Sequence, residues 1–416
     1  MPPRWILATL ALAATAIFLL FFVVPHTLNG DGYVRFLKLD ALLREGRIGP
    51  ERYSYVGPLF ASPLWLLGGS RTWWAARFNV LVLAAGVAAA WWASKPAMPS
   101  SERASLALLL AATGMMPNAT IDFYGELFSA VTIGTGLMVV CISERRFGWA
   151  LVVLGVANMP ASLAGLLLVS VWRFWPRRRI DGLIALAAAA ALVLLENTIV
   201  RGAPLNAGYA GDHGFTTVMP FSGMSGFSYP LILGFVSLLF SFGKGLLFFA
   251  PGLLLVPLAR RERPQLASFL DASLLFLLGL LLVYSRWWAW FGGWAWGPRF
   301  LLLAAYPSSA AIAVALNRAT TWRQSAAALV ITVWTVWVGV SGAVFNLSGL
   351  DDCIANGYAL EHLCWYVPDF SPLLRPLVLP PAALVGWQKV WMIFAAVVLG
   401  VLITSIGQLH QRRPIR

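Results

Sequence analysis

The sequence predicts an all-α polytopic membrane protein, and three observations carry that reading. Of 416 residues, 59% are hydrophobic and only 11% charged, against about 25% charged residues in a soluble domain. Apolar runs of about 15–22 residues recur along the whole chain, the length a helix needs to cross a hydrocarbon core of about 30 Å. The loops between these runs differ sharply in charge. This composition excludes a soluble enzyme with one anchor, a disordered chain and a disulfide-rich secreted domain. An outer-membrane barrel is excluded as well, because its strands read as alternating segments of about ten residues.

The first apolar run, residues 6–24, follows Arg4. Its length, its Phe content and the lack of a small-x-small cleavage site behind it set it apart from a secretory leader. A polar segment, 26–55, comes next. Further spans read as 72–93, 104–116, 123–142, 180–200, 243–259, 266–284, 300–316, 324–346 and 385–409. Residues 147–171 are apolar but broken at Asn158-Met159-Pro160. Proline removes a helix donor, and its ring clashes with the preceding turn. Each half is about 11 residues and rises only ~16 Å, too little to cross. Arg145 and Arg146 precede the pair, and Arg173, Arg177, Arg178 and Arg179 follow it. Basic flanks mark the cytoplasmic side, so two short re-entrant helices are expected to enter and return. The whole predicts a bundle of about 12 helices.

With both termini cytoplasmic, the inner side receives seventeen of the 30 Lys and Arg and five of the 17 Asp and Glu. The outer side receives thirteen and twelve. Nearly all of the net charge of +13 is thus a positive-inside signal. A nucleic-acid partner would need a basic domain of its own, which the sequence lacks. A nucleotide-consuming site would need a Walker or Rossmann glycine loop, also lacking. Three long segments fall outside, 26–71, 201–242 and 347–381, so function is expected to face outward. The chain reads as one membrane domain, 1–416. Within it, 1–200 form a catalytic-type module with the first outer loop, and 201–416 add further helices with the other two loops.

Asp31 follows the first span in NGDGY. A carboxylate at membrane level is costly and usually functional, and the flanking glycines let the backbone turn and approach a ligand. Arg35 lies one helical turn on, on the same face. The charges from Lys38 to Arg52 read as a solvated amphipathic helix on the membrane surface. Asp122 and Glu126, in IDFYGE, sit one turn apart at the outer mouth of a span, where helix N-terminal capping is the plainer role. Lys244, in FGKGLLFFAP, and Arg299, in WGPRFLL, are cations beside Gly or Pro at outer mouths. Such positions suit an interfacial phosphate or snorkelling to lipid headgroups. Trp287, Trp288, Trp290, Trp294 and Trp296 read as an interfacial aromatic belt that could also stack on a sugar. His213 has no zinc-ligand spacing to the other three histidines and reads as a loop residue. Glu196 and Asp271 lie near helix ends. Cys353 and Cys364 fall in the last outer loop and would pair in an oxidising compartment, whereas Cys141 falls at the inner end of a span and is expected to stay a thiol.

NGDGY, IDFYGE, FGKGLLFFAP and WGPRFLL, in that order along nearly the whole chain, together resemble the GT-C superfamily of membrane glycosyltransferases. The nearest type is that of the protein-O-mannosyltransferases and aminoarabinose transferases, and the short paired helices in mid-chain look like that superfamily too. The first-loop motif departs from the Asp-Glu pair of the O-mannosyltransferases. The resemblance implies a GT-C-like bundle in a bacterial inner membrane. It implies inverting transfer of a sugar, at the periplasmic face, from a polyprenyl-phosphate donor to a lipid, glycan or protein acceptor. Asp31 would be the general base, and Asp122 and Glu126 would orient the acceptor or a divalent metal. Lys244 and Arg299 would hold the leaving phosphate, with Arg35 or Arg201 assisting. No other cofactor is implied. Two other classes fit less well. O-antigen polymerases and ligases concentrate Arg and His in a large late outer loop, which here holds only Arg375 and His362. Transporters repeat their broken spans in corresponding halves, and this sequence has one broken region.

Overall fold

The computed structural model describes the chain except residues 1–2, 51, 69–71, 210–215, 348–349, 382 and 412–416, and the side chains of 3, 176–177 and 406–411. His213 and the side chain of Arg177 lie outside the described residues. All regular structure among the described residues is helical, with sixteen helices of seven residues or more rather than about 12. Seven are long and apolar enough to cross a membrane: Arg4–Phe22, Thr72–Ala93, Asp181–Arg201, Pro264–Tyr284, Arg299–Arg318, Trp322–Phe345 and Gly386–Ser405. Each overlaps a span expected from hydropathy.

Several other elements depart from expectation for local reasons. The helix Ser100–Ala112 ends where Thr113 turns extended and Gly114 takes φ +61°. The expected span 243–259 is three pieces, Leu246–Phe249, the 3-10 turn Pro251–Leu255 and Val256–Glu262, because Pro251 lacks the N–H that would continue the first. A short helix, Leu231–Phe240, forms inside the segment read as loop 201–242; ten apolar residues are too few to register as a span. The surface helix expected over 38–52 is instead Gly30–Glu45, closed by Gly46 in the left-handed region. Asp31 therefore sits in the first turn of a helix and not in a free glycine turn.

The mid-chain break is where Pro160 predicts it. Gly148–Asn158 stops at Met159, Pro160–Ser162 form a 3-10 turn, and Leu163–Arg177 returns. The first arm packs on Gly125–Cys141 through facing glycines, since a Cβ on Gly136 would lie 2.6 Å from the Gly148 carbonyl oxygen. Small residues of this kind let helix backbones close in. At the tip, Asn158 Nδ2 donates to Gly125 O and Ser129 Oγ, each at 2.8 Å, and Oδ1 accepts from Gly57 N at 3.0 Å. The pair thus reaches the bundle end that carries the first loop.

One buried apolar cluster runs from the first helix to the last. A smaller one, including Phe36, Leu39, Phe78, Phe123 and Phe128, seats Gly30–Glu45 on the bundle. At the opposite end, Glu102, 1% exposed, accepts from Arg263 at 2.6 and 2.8 Å and from Arg318 at 3.0 Å. Asp271 pairs with Arg260 at 3.3 Å. Cys353 and Cys364 form a disulfide with Cα atoms 6.2 Å apart, and Cys141 stays out of it, its Sγ 3.8 Å from Arg173 Nη1.

Candidate active site

The site is built around Arg299. The backbone turns at Gly297, φ +65°, and at Pro298 before the helical stretch Arg299–Arg318 begins. That turn aims the guanidinium at two carboxylates from the first half of the chain. Nη2 donates to Asp31 Oδ2 at 2.8 Å, and Nη1 lies 3.5 Å from Glu126 Oε1. The ring of Tyr124 lies 4.9 Å from the guanidinium carbon. The side chains of Arg299, Asp31 and Glu126 are 15%, 26% and 8% exposed, so these charges interact with little screening by water.

Asp122 completes the acidic group. Its Oδ1 accepts from Phe123 N at 2.6 Å and its Oδ2 from Asn29 N at 3.1 Å. A Cβ on Gly32 would collide with Asp122 Oδ1, so the second glycine of NGDGY is what lets this carboxylate approach the helix Gly30–Glu45. Asn79, buried, donates through Nδ2 to the carbonyls of Asp122 and Tyr124 at 2.6 and 2.9 Å and fixes the turn.

The other oxygen of Asp31 accepts from Tyr53 Oη at 2.6 Å. Tyr53 is held by a clamp on residues 52–55. Glu196 accepts from Ser54 Oγ at 2.8 Å and Tyr55 N at 2.6 Å, Arg201 donates to Arg52 O at 2.8 Å, and Lys38 donates to Tyr53 O. Arg35, 7% exposed, lies with its guanidinium carbon 4.7 Å from the Tyr53 ring centre, and its Nε and Nη1 have no hydrogen-bond partner among the described residues.

These surroundings split the two aspartates. Burial works to raise the Asp31 carboxyl, but Arg299 and Tyr53 outweigh it and hold it below the usual carboxylate value. For Asp122, burial wins over the N–H donors of Phe123 and Asn29, and the carboxyl is pushed up to about 6. Burial and the Asp31 charge both raise Tyr53, which stays a phenol donating to Asp31.

A cavity of about 340 Å³ opens beside this group, lined by Asp122, Glu126, Arg299, Tyr124, Asn118, Asn346 and Trp296 among others. A second, more open one of about 440 Å³ is lined by Asp31, Arg52, Tyr53 and Gly208. The Asp31–Arg299 pair thus borders both, Asp31 facing one and Arg299 the other.

Of the residues singled out in the sequence, the structure brings Asp31, Asp122, Glu126 and Arg299 together, with Arg35 alongside. Lys244 and Arg201 stand behind them. Lys244 is fully buried and donates to the carbonyls of Gly293, at 3.3 Å, and Ala295, with Trp365 beneath it. It holds the stretch whose Trp294, Ala295 and Trp296 line the cavity. Trp290 and Trp296 are 1% and 4% exposed, so part of the expected aromatic belt is protein core. Tyr53 and Asn79 carried no pattern that picked them out; Asn158 marked only the helix break, Asn118 and Asn346 were legible only as N-x-S/T sequons, and Tyr124 only as a member of IDFYGE. Glu196 stood out as an acid near the end of an apolar helix. Among the described residues no group of three or more His, Cys, Asp or Glu is placed to hold a metal.

No protein-family model matches the chain, and no curated protein is similar to it in sequence. Solved structures are similar in fold. ArnT from Cupriavidus metallidurans bound to undecaprenyl phosphate superposes with a TM-score of 0.57 over 98% of this chain and 77% of its own, at 14% identity. The same protein in its apo state gives 0.57 over 97% and 76%, at 13% identity. The Archaeoglobus fulgidus oligosaccharyltransferase gives 0.48 over 82% and 56%, at 12% identity. The expected fold is thus shared with ArnT over nearly the whole chain, at 14% sequence identity.

Proposed function

We propose that the protein is an inverting glycosyltransferase that moves a sugar from a polyprenyl-phosphate donor to an acceptor hydroxyl at the loop-bearing, extracytoplasmic end of the bundle. The observation that carries this reading is Arg299 held between Asp31 and Glu126 beside a cavity, in a fold shared with a protein solved with undecaprenyl phosphate. Both termini are cytoplasmic in this proposal, as the charge asymmetry requires.

In the reaction, the acceptor oxygen attacks the anomeric carbon from the face opposite the phosphate. The sugar–oxygen bond to phosphate breaks, and its electron pair leaves with the phosphate. Asp31 takes the acceptor proton. Phosphate is a stable leaving anion, so the growing charge needs cations more than a general acid. Arg299 lies where it can serve phosphate and base together. When the donor phosphate draws the guanidinium toward itself, Asp31 loses part of the partner that depresses its proton affinity, and it becomes the stronger base in the loaded site. Asp122 and Glu126 orient the acceptor from the cavity wall, and Arg35 supplies free N–H donors. Lys244 and Arg201 act through the backbone stretches they hold.

The test is a donor panel: purified protein in lipid nanodiscs, polyprenyl phosphates carrying different labelled hexoses or pentoses, and a bacterial membrane extract as acceptor. Release of polyprenyl phosphate with label moved to the extract supports the reading. Tight donor binding with no release across the panel would assign the site to carriage of the lipid instead.

A further inference from the structure

A cavity larger than either of those bordered by the Asp31–Arg299 pair lies away from the site. It holds about 1040 Å³ between the end of Gly125–Cys141, the arm Gly148–Asn158 and the start of Asp181–Arg201. Five arginines line it, Arg145, Arg146, Arg173, Arg178 and Arg179, against two acids, Glu144 and Asp181. The acids are already engaged, Glu144 with Arg179 at 3.8 Å and Asp181 with Arg173 at 3.1 Å and with Trp149 Nε1 at 2.9 Å. Among the described residues, Arg145, Arg146 and Arg178 have no carboxylate within 4.0 Å. Arg173 is 2% exposed, and its Nε has no hydrogen-bond partner among the described residues.

The cationic rim continues into an apolar wall. Val153 and Leu154 face it from one helix and Ile184 and Ala188 from the other. Ile184 is 61% exposed and Ile180, at the rim, 57%. Positive-inside topology accounts for arginines at this end. It does not account for a concave groove behind them, nor for a buried arginine with an open donor. A free phosphate would use the rim and leave the apolar wall wet. A zwitterionic lipid would bring its own cation against three unpaired arginines.

We propose that this groove is a binding site for one anionic glycerophospholipid of the adjoining leaflet. Its phosphate sits among Arg145, Arg146, Arg173 and Arg178, and an acyl chain lies along Ile184 and Ala188. Planar guanidinium groups bind phosphate through paired N–H donors, and basic pockets between membrane helices at the cytoplasmic side are where acidic headgroups are held. The lipid ties the re-entrant pair to Asp181–Arg201, whose last two turns carry Glu196 and Arg201 of the Tyr53 clamp. The site does not depend on the reaction proposed above.

The experiment measures thermal unfolding of the purified full chain, delipidated in detergent, with dioleoyl phosphatidylglycerol, dioleoyl phosphatidylcholine or inorganic phosphate added. Phosphatidylglycerol should raise the midpoint saturably, with one lipid retained per chain in native mass spectrometry. Arg145→Gln/Arg146→Gln/Arg178→Gln should weaken its affinity about a hundredfold. Ala188→Trp keeps every charge, and hence the topology, and should weaken it at least about tenfold by filling the groove. Equal stabilisation by phosphatidylcholine, the full effect from inorganic phosphate alone, or unchanged affinity in Ala188→Trp would each overturn the proposal.

Discussion

Replacing Arg299 by Gln removes the cation that, among the described residues, touches both Asp31 and Glu126. Breaking a buried ion pair from one side costs about 3–5 kcal/mol, because the remaining charge stays desolvated. Asp31 is 26% and Arg299 15% exposed, so partial solvation puts the expected loss lower, at about 2–3 kcal/mol. The loss has a pH signature. In the wild type the Asp31 carboxyl lies below its unfolded value, so its contribution to stability is present above about pH 4 and is lost as pH falls through the folded value. Without Arg299, only Tyr53 and Arg35 still oppose burial at Asp31, whose carboxyl rises, and Asp122, already at about 6, rises further because it loses the Arg299 charge that lowers it. Carboxyls raised on folding cost stability at neutral pH and release that cost on protonation. The stability gap between wild type and variant should therefore be widest near pH 7.5 and close progressively below about pH 6. Thermal unfolding of both proteins in detergent at pH 5, 6 and 7.5 measures it. Arg299→Lys keeps the charge and should recover part of the gap. A gap of constant size across pH would refute the ion-pair argument.

Three further outcomes follow from the site and its supports. Asp122 must be ionised to orient a hydroxyl by accepting a hydrogen bond from it, so kcat/KM for transfer should fall as pH drops through about 6; Asp122→Asn should be slower and lose that limb in a pH-rate profile. Asn158→Ala deletes three hydrogen bonds at a 3% exposed position and should cost at least about 2 kcal/mol in thermal or chemical unfolding. Cys353→Ser/Cys364→Ser opens a short loop and should cost about 3 kcal/mol in the chain-entropy account, and peptide mapping of unreduced wild-type protein should recover the two cysteines as one linked species.

What the sequence discloses is what is local. Long apolar stretches announce themselves by composition, and Thr72–Ala93 coincides with its expected span. The break at Asn158-Met159-Pro160 follows from the covalent structure of proline. The pairing of Arg299 with Asp31 spans 268 positions, and nothing in either motif names the other; order along the chain and likeness to a family placed them in one site. Tyr53 was invisible because a lone tyrosine in a polar loop has no pattern, and its role comes from Glu196 and Arg201, which arrive from a distant helix. Lys244 shows the converse error that local reading invites. Between two glycines at a helix mouth it looks exposed to a ligand, yet the Gly293 and Ala295 carbonyls take its protons, a tertiary fact that no window of sequence contains.

The central claim is that Asp31 is the group that accepts the acceptor's proton, and one paired measurement on Asp31→Asn tests it. Asparagine is nearly isosteric; its oxygen can still accept from Arg299, and its Nδ2 can donate to the Tyr53 hydroxyl, so the fold and the donor site should survive. General-base catalysis is typically worth about 10²–10⁴-fold. Single-turnover transfer should therefore slow by about that factor, while the dissociation constant for polyprenyl phosphate stays within about threefold of wild type. A well-folded Asp31→Asn protein that transfers sugar at close to the wild-type rate would contradict the account and move the base to Asp122 or Glu126.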